Sequence, residues 1–482
     1  MYLLERALER ASRLGASYAD ARRVNRKTQG ILVRDGALET ISEGSDEGYG
    51  VRVLVDGAWG FAASNSMSEE DAAKTAGLAV EYAKAARPML KRKAEIGECR
   101  GEAAYWKAPI EVDPFTVPIG DKVGLLIKAT LAAKGYSPKV RQAKATMDFI
   151  TEKKLFMSTE GARIEQEFTE SGAGVTVMAL GDGDMQVRSY PGSFGGNFKQ
   201  AGYEFVLAQR LEEGALKSAE EAVALLTAEQ CPSGEMTLIL LPEQLALQIH
   251  ESCGHPVELD RVYGTEAAYA GTSFLTTDKL GRGFKYGSDC VDLYQCSITE
   301  GGLGTFAYDD EGMPSSRTPL VVKGEFVGYL MGREWAARLG LSSNAAMRAD
   351  GWSRTPIVRM TNVCLAPGGE TLEKLIAGTK DGVMMDGIKS WSIDDRRVNF
   401  QFGCEIGWRI KDGRITGIVK NPTYTGSTPE FWGSCDGVAS QDEWVLWGVP
   451  NCGKGEPMQV AHVGHGCAPA RFRNVKVGVG RW

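Results

Sequence analysis

Several features that would assign this sequence to a simple class are absent from its 482 residues. No apolar run approaches the ~20 residues needed to cross a bilayer, which excludes a transmembrane helix. Glu5 and Glu9 interrupt the first apolar stretch, so we expect no signal peptide there. Basic residues are not in excess, because the net charge is −7. This balance argues against a protein that binds nucleic acid through a basic surface.

Cysteine is present but unpatterned, since the ten cysteines form no C-x-x-C pair and no compact disulfide framework. Such scatter is typical of a protein from a reducing compartment, whose thiols are mostly buried. We therefore expect a cytoplasmic protein. The fractions of hydrophobic residues, 43%, and charged residues, 24%, are those of an ordinary soluble globular chain.

Histidine is scarce, since the sequence has four, and two of these lie five residues apart. His250 is followed at once by Glu251, and His255 completes the pattern H-E-x-x-x-H. Neutral imidazoles are common zinc ligands, and a nearby carboxylate can take a proton from the water that attacks a substrate. The pattern therefore predicts a hydrolytic zinc site. The alternative is a pair of hydrogen-bonded histidines at the end of a helix.

The five-residue spacing does not suit a regular α-helix, in which residues that far apart diverge by ~140°. Pro242 is a favourable first helical residue, and an apolar helical pattern follows it. Gly254 can adopt a left-handed conformation at a helix end, and Pro256 disfavours helical dihedrals at His255. We therefore predict a helix of about three turns that begins near Pro242 and ends near Gly254, with His255 turned back over its end.

The order of predicted elements divides the chain into two domains, residues 1–230 and 231–482, with a boundary at Cys231-Pro232-Ser233-Gly234. The first domain combines helices with a meander of short antiparallel strands, which includes a turn at Gly181-Asp182-Gly183. A continuous helix over residues 203–226 closes this domain. We expect an α+β protein of two lobes: an N-terminal α/β lobe with helices and antiparallel strands, and a mostly β C-terminal lobe that carries the histidine motif.

Further motifs accompany the histidine motif, in this order: HESCGHPVELDR, YAGTSF (Tyr269–Phe274), DDEGMP (Asp309–Pro314), RMTN (Arg359–Asn362) and CGK (Cys452–Lys454). With the earlier stretch GYGVRVLVDGAWGFAASN, they resemble the TldD branch of the TldD/PmbA family of metallopeptidases. The companion branch lacks H-E-x-x-x-H, so this chain resembles the catalytic type. The resemblance implies a two-lobed protein, peptide hydrolysis, and a zinc ion held by the two motif histidines and a C-terminal cysteine.

The resemblance places the third zinc ligand at the cysteine of the CGK motif, which is Cys452 in this chain. Spacing alone leaves alternatives open, because Cys467, His462 and His465 lie in the same C-terminal stretch. The tail of the family is usually poorer in histidine and cysteine, and its gap after CGK is usually shorter. Each of these three side chains is therefore a further candidate ligand.

Acidic residues near the motifs have two possible roles. Glu258 and Asp260 either accept hydrogen bonds from the metal-binding histidines or lie in a solvated turn. Asp309, Asp310 and Glu311 lie in a stretch flanked by glycine and proline. We expect these three to be turn and hydrogen-bonding residues rather than a second metal site.

The leading hypothesis is a zinc-dependent peptidase that hydrolyses unfolded or extended peptides. His250, His255 and Cys452 would hold Zn²⁺, and Glu251, the catalytic residue, would move a proton from water to the leaving amine. We also expect an exposed strand edge beside the motif helix, roofed by the N-terminal lobe, to which a peptide could add as an extra strand. The alternative function is a peptide-binding or regulatory subunit with a structural or idle metal site.

The resemblance also bears on partners. It implies an assembly of two family subunits, either a homodimer or a heterodimer with a PmbA/TldE-like subunit. The sequence does not decide between these two assemblies. The net charge of −7 and the lack of a long apolar run lead us to expect no direct contact with nucleic acid or with a membrane.

Overall fold

A computed structural model of the protein describes residues 2–181 and 183–480. The predicted turn at Gly181-Asp182-Gly183 includes Asp182, which lies outside the described residues. The amino-terminal part of the chain forms, in order, α1 (Tyr2–Arg13), β1 (Tyr18–Arg34), β2 (Ala37–Val55), β3 (Ala58–Ser64), α2 (Glu69–Ala86), β4 (Ala103–Lys107), α3 (Ile119–Tyr136), β5 (Val140–Ser158), β6 (Arg163–Gly181), β7 (Asp184–Tyr190), β8 (Asn197–Lys199), α4 (Tyr203–Ala208) and α5 (Leu211–Thr227).

A single sheet in the order β3-β2-β1-β5-β6-β4 dominates this part, and β7 and β8 also pair with β6. Its first two hairpins turn at Asp35-Gly36 and Asp56-Gly57, where all four residues have positive φ. Aspartate tolerates this conformation and glycine favours it, which is why Asp-Gly is a strong hairpin signal. Helices α3 and α5 pack on β5 and β6, whereas α1 and α2 pack on β1, β2 and β3. The sheet thus carries two separate apolar cores.

Two sequence predictions for this part are wrong in detail. The helix expected over residues 203–226 is interrupted, because Arg210 adopts a left-handed φ of 51° between α4 and α5. The four short strands expected between residues 142 and 180 are two long strands, β5 and β6, paired along most of their length, whereas the next expected strand is present as β7. The polar residues in the middle of β5 do not break the strand. Glu152 forms an ion pair of 2.7 Å with Arg26 on the neighbouring strand β1.

The carboxy-terminal part is rich in strands, as predicted, and the α+β class is confirmed. No helix among the residues described here is long and apolar enough to span a membrane. The elements of this part are β9 (Glu229–Gln230), β10 (Gly234–Leu240), α6 (Pro242–Ile249), α7 (Leu259–Val262), β11 (Leu293–Cys296), β12 (Arg317–Val322), β13 (Glu325–Phe326), α8 (Arg333–Ala337), β14 (Met347–Arg348), β15 (Ile357–Val358), β16 (Asn362–Leu365), α9 (Leu372–Ala377), β17 (Asp381–Ile393), β18 (Asn399–Lys411), β19 (Arg414–Lys420), β20 (Pro422–Ser427), α10 (Thr428–Gly433), β21 (Cys435–Val438), β22 (Val445–Lys454), β23 (Gln459–Cys467) and β24 (Ala470–Val479).

Two sheets position the motif helix α6. In the first, β10, β17, β18, β20 and β24 pair in a closed circle, so that they form a small barrel. The second has the order β13-β12-β11-β16-β23-β22, with β22 at its edge. Helix α6 follows β10 directly and contacts β17 of the barrel as well as β22 and β23 of the other sheet. The helix therefore lies between the two sheets, within the largest apolar core.

The acidic DDEGMP segment joins the two parts of the chain. Asp310 forms an ion pair of 3.0 Å with Lys154 of β5, and Glu311 forms one of 3.1 Å with Arg52 of β2. The carboxylate of Asp309 accepts hydrogen bonds from backbone N–H groups of its own segment. These residues thus act as hydrogen-bonding and ion-pairing residues, and among the described residues they are not part of a cluster that could hold a metal.

Candidate metal centre

The motif helix does not end where the sequence predicts. After α6, the chain continues as a π-helical turn, His250–Gly254, and then as a 3₁₀ turn, His255–Val257. His255 keeps helical dihedrals, φ −61° and ψ −40°, and its N–H donates to the carbonyl of His250 five residues earlier. This wider turn brings the two imidazoles to one side of the helix, where their ring centroids lie 4.8 Å apart. The prediction of a left-handed Gly254 and a reversed His255 is therefore wrong.

Gly254 is required here for space rather than for left-handed dihedrals. Its φ is −77° and its ψ is −62°. A Cβ atom at this position would lie 2.0 Å from the sulfur of Met360, which belongs to the RMTN motif. The absence of a side chain lets the π turn lie directly on this methionine, so two of the sequence motifs meet in the core beneath the histidines.

The structure brings together the three residues that the sequence and the resemblance select. His250, His255 and Cys452 are buried, and one donor atom from each lies within 4.8 Å of the others. Cys452 comes from the edge strand β22, and its sulfur is 3.7 Å from Nε2 of His255. Tetrahedral zinc with one nitrogen and one sulfur ligand would separate these atoms by about 3.6 Å, so the spacing fits the metal.

Hydrogen bonds fix which nitrogen of His250 is free. Nδ1 of His465 lies 2.9 Å from the carbonyl oxygen of Val363, which can only accept, so His465 donates through Nδ1. Its Nε2 is then an acceptor, and it lies 2.8 Å from Nδ1 of His250. His250 must donate to it, which leaves Nε2 of His250 with a lone pair for a metal.

The carboxylate of Glu258 determines in the same way which nitrogen of His255 is free. Nδ1 of His255 lies 2.9 Å from the carboxylate of Glu258 and donates a hydrogen bond to it, so Nε2 faces Cys452 unprotonated. Lys454 of the CGK motif secures this arrangement, since its buried ammonium lies 2.7 Å from Asp260 and 3.5 Å from Glu258. Glu258 is thus the direct partner of a histidine, whereas Asp260 acts through Lys454. Neither residue lies in a solvated turn.

The electrostatic environment favours the protonation states that bind a metal. Burial lowers the pKa of His250 and of His255, which keeps both rings neutral. Burial raises the pKa of Cys452, but His255 and the guanidinium of Arg359 outweigh it, so the pKa of the thiol is lowered. For Glu258, too, the nearby Lys454 and His255 outweigh burial and hold the pKa well below its ordinary value. The result is a pair of neutral imidazoles beside a thiol that ionises readily.

Cys452 is held in place by its backbone. The buried guanidinium of Arg359 donates to the carbonyl oxygen of Cys452 and, at 2.9 Å, to that of Gln459 across the β22–β23 hairpin. Asn362, the last residue of RMTN, donates at 2.7 Å to the carbonyl of Cys296 in the same sheet. The RMTN motif therefore anchors both the cysteine strand and the sheet to which it belongs.

The other candidate ligands lie elsewhere. Cys467 is buried, and its thiol donates to the carbonyl of Pro242 at 3.3 Å, at the far end of α6. His462 contacts Glu170 of β6 through Nδ1 and is part of the junction between the two parts of the chain. His465 accepts a hydrogen bond from His250 and is not one of the three residues of the triad. A supporting histidine of this kind has no spacing signal, so the sequence offered no means of distinguishing it from a ligand.

The triad faces a cavity of about 460 Å³. Glu251 lines it, and its carboxylate forms an ion pair of 2.6 Å with Arg397, a residue that the sequence did not single out. Phe194, from the loop before β8, and Trp391, from β17, contact each other edge to face at 5.3 Å and line the same space. The cavity is therefore lined by a potential metal site, a carboxylate and two half-exposed aromatic side chains. Residues from both parts of the chain line it.

Family models described as domains of the PmbA/TldA metallopeptidases match most of the chain: domain 1 at residues 19–83, the central domain at 112–227 and the C-terminal domain at 233–479. A metalloprotease of Methanocaldococcus jannaschii is 30% identical over 451 residues, which cover 93% of this chain and 95% of that protein. A zinc metalloprotease TldD homolog of Saccharolobus solfataricus is 23% identical over 485 residues, with 98% of each chain covered.

Solved structures share the fold at lower identity. A protein of Thermotoga maritima titled as a modulator of DNA gyrase has a TM-score of 0.77 at 17% identity, with 99% of both chains covered. TldE from Thermococcus kodakarensis has a TM-score of 0.76 at 16% identity, covering 99% of this chain and 100% of its own. The chain is a member of the PmbA/TldD family of metallopeptidases, and the family resemblance seen in the sequence is confirmed.

The role assigned to His465 can be tested by substitution. We expect His465→Ala to weaken zinc binding by about 10- to 100-fold, because His250 loses the acceptor that fixes its ring and tautomer. Competition with a chromophoric chelator measures this affinity. His462→Ala is the matched control, since it removes a nearby histidine that does not contact the triad. A greater loss in the His462 variant than in the His465 variant would contradict the assignment.

Proposed function

We propose that this metallopeptidase is a zinc-dependent enzyme that hydrolyses unfolded or extended peptides. The observation that carries the proposal is the buried triad of His250, His255 and Cys452, whose free Nε2 and Sγ atoms converge beside a cavity. Three protein ligands with access to a cavity are the usual plan of a catalytic zinc site, whereas structural zinc usually has four. When bound there, zinc would supply Lewis acidity, which polarises a substrate carbonyl and acidifies water.

Glu251 is the proposed catalytic residue. It follows His250 in the chain, lines the cavity, and lies beside the triad without belonging to it. Its carboxylate would accept a proton from the attacking water and deliver it to the nitrogen of the leaving amine. Arg397 donates to Oε2 of Glu251, which fixes the orientation of the carboxylate and leaves Oε1 for the proton transfer.

Two strand edges support the choice of an extended peptide. Residues 382–385 of β17 pair with β10, whereas the later residues 390–393 pair with β18 and, among the described residues, with no second strand. Residues of this later segment line the cavity, as do those of the edge strand β22 from Trp447 to Gly453. A peptide that adds to such an edge bonds through its main chain, so its sequence matters little but it must be unfolded. Ser193 and Phe194 of the amino-terminal part line the same cavity and would narrow its entrance.

Digestion assays test this choice of substrate. We expect an unfolded peptide to be cleaved, whereas a stable folded protein with flexible surface loops should remain intact under the same conditions, because a loop cannot enter as a separate strand. The fragments are measured by mass spectrometry, and the same folded protein after denaturation is the matched control. Rapid internal cutting of the loops in the folded protein would contradict the enclosed strand-edge site.

One observation favours a second candidate, a peptide-binding or regulatory subunit with an idle metal site. The ion pair between Arg397 and Glu251 occupies the carboxylate that hydrolysis would require as a proton acceptor. For such a subunit, the zinc-loaded protein would bind an extended peptide and leave it uncut. A peptidase would require Arg397 only to orient Glu251, so Arg397→Lys, which keeps the charge, should retain most of the turnover.

We further propose that the protein acts in the cytoplasm as an assembly of two family subunits. The similarity in fold to TldE of Thermococcus kodakarensis supports a partner from the same family. Residues 37–46 of β2 are exposed, and this segment lies beyond the part of β2 that pairs with β3. Such an edge could receive another subunit. Light scattering of the protein alone and with a candidate partner tests this, and a monomer in both samples would contradict it.

A further inference from the structure

The cavity contains a second acidic group that the proposed reaction does not use. Glu243 lies in the first turn of α6, seven residues before His250, and lines the same cavity. We infer that Glu243 binds the α-ammonium group of the substrate, so that the enzyme takes peptides with a free amino terminus. This inference rests on the proposed function, because it takes the ligand of the cavity to be a peptide.

Glu243 lies in a cluster of charges but has no ion pair of its own among the described residues. Glu243, Asp386 and Glu405 act on one another electrostatically; Glu243 and Glu405 are buried and Asp386 is partly buried. The nearby cations are engaged by other acids: Arg188 pairs with Glu405 at 2.8 Å and with Glu221 at 2.8 Å, and Lys389 acts on Glu405 and Asp184. Among the residues that the structure describes, Glu243 and Asp386 have no ion pair. Burial, followed by the two neighbouring carboxylates, raises the pKa of Glu243 to about 8, as expected of a buried acid without a counter-ion.

An ammonium group suits Glu243 as a partner better than a metal ion does. Within the described part of the chain, the triad at His250 is the one group of acidic, cysteine and histidine side chains with donor atoms close enough to share a metal. Glu243, Asp386 and Glu405 therefore do not converge on one ion. An ammonium group needs only one carboxylate and can donate further hydrogen bonds to its surroundings.

Glu243 has an oxygen available for this purpose. Its Oε1 accepts from the N–H of Ser193 at 2.6 Å and more weakly from that of Ile388 at 3.5 Å. No described residue donates a hydrogen bond to Oε2. The hydroxyl of Ser193 donates to Glu405 at 3.3 Å, and the lone pairs of its oxygen are further acceptors beside the same site.

The distance along α6 predicts where the peptide is cut. Seven residues of an α-helix span about 10 Å, which separates Glu243 from the histidine at the metal. An extended peptide advances about 3.3 Å per residue. If the α-ammonium group is bound by Glu243, the second or third peptide bond lies near the triad. The enzyme should then release dipeptides or tripeptides from the amino terminus.

A purely structural role for Glu243 predicts different results. The bond from Ser193 shows that Glu243 holds the loop that carries Phe194, and loss of this bond could disturb the cavity without any direct contact with substrate. Glu243→Gln separates the two roles, because a glutamine oxygen still accepts from the N–H of Ser193 but carries no charge. Glu235→Gln is the matched control, since it removes an exposed carboxylate from β10, the strand that leads into α6.

Binding measurements test the inference directly. Zinc-loaded protein with Glu251→Gln, whose turnover should be strongly reduced, is titrated by calorimetry with three versions of one unstructured peptide. The first has a free amino terminus and no lysine, the second is N-acetylated, and the third is N-acetylated with lysine as its first residue. We expect the first to bind at least about tenfold more tightly than the second, as for a charge-assisted hydrogen bond. Adding Glu243→Gln should remove this difference, and adding Glu235→Gln should retain it.

Two other results of the titration would overturn the inference or its assignment to the α-ammonium group. Equal affinity for the free and acetylated peptides, or a difference that persists in the Glu243→Gln protein, overturns the inference. Tight binding of the acetylated lysine peptide, equal to that of the free peptide, overturns the assignment to the α-ammonium group, because the site would then accept any primary ammonium.

Hydrolysis by the wild-type protein separates this inference from the proposed function. Dipeptides or tripeptides from the amino terminus, found by mass spectrometry, would support both. Cleavage at the same rate in free and acetylated peptides would overturn the inference and leave the peptidase function intact. Discrimination in binding without any hydrolysis would overturn the peptidase function and leave the ammonium site intact.

Discussion

Glu251→Gln is expected to reduce kcat for peptide hydrolysis by about 10²- to 10⁴-fold, the usual range for loss of a general acid–base group. Zinc content should not change, because the donor atoms of the triad belong to His250, His255 and Cys452. The amide can still accept a hydrogen bond from Arg397 but cannot take a proton from water. Steady-state kinetics on an unstructured peptide, with metal analysis of the same sample, measures both effects.

Arg397→Lys provides the control for this experiment. It keeps a cation beside Glu251, so turnover should fall much less than in the glutamine variant. Undiminished kcat in Glu251→Gln would remove this residue from the mechanism. Loss of zinc from the same variant would instead mean that Glu251 supports the metal, and the assignment of its role would have to change.

Cys452→Ser is expected to have the largest effect on the metal. Its loss in zinc affinity should exceed the about 10- to 100-fold loss expected for His465→Ala, because a serine hydroxyl near neutral pH is a poor replacement for a thiolate ligand. Cys452 contacts Nε2 of His255 at 3.7 Å, and its lowered pKa favours the anionic form. Competition with a chelator of known affinity gives the measurement.

Cys467→Ser is the matched control, because it makes the same chemical change in a buried cysteine of the next strand. The thiol of Cys467 donates to the carbonyl of Pro242, and serine can make the same bond. We therefore expect nearly wild-type zinc affinity in this variant. If the Cys467 variant lost more affinity than the Cys452 variant, the third ligand would be misassigned.

The scarcity of histidine made the site predictable from the sequence. With four histidines in the chain, the H-E-x-x-x-H pattern is a strong signal, and it located the helix that the two sheets enclose. The family resemblance then supplied Cys452, which lies almost 200 residues further along the chain and has no spacing relationship to the motif. Local patterns do not report such distant contacts, so the third candidate ligand depended on knowledge of related sequences.

The geometry of the motif helix was not predictable from the same residues. Gly254 and Pro256 are ordinary signals for the end of a helix, and both were interpreted in that way. In the structure, packing overrides these local preferences, because the π turn fits against Met360 and directs both histidines toward Cys452. A similar override occurs at Arg210, where one left-handed residue divides a helix that its apolar pattern predicts to be continuous.

Residues that support the site were the hardest to foresee. Arg397 and His465 occur in no motif that the sequence displays, yet one binds Glu251 and the other sets the tautomer of His250. Glu258 and Asp260 were recognised as candidates because they follow the motif closely. Their distinct roles, one bound to His255 and the other to Lys454, depend on tertiary contacts.

Peptide hydrolysis by this protein is proposed to depend on a zinc ion held by His250, His255 and Cys452. The most direct measurement is the rate of hydrolysis of an unstructured peptide as zinc is returned to chelated protein. We expect the rate to rise from near zero and to saturate at about one zinc per chain, and to stay near zero throughout in the double variant His250→Ala, His255→Ala. A rate that is independent of zinc, or the same titration curve in the double variant, would contradict a zinc-dependent reaction at this triad.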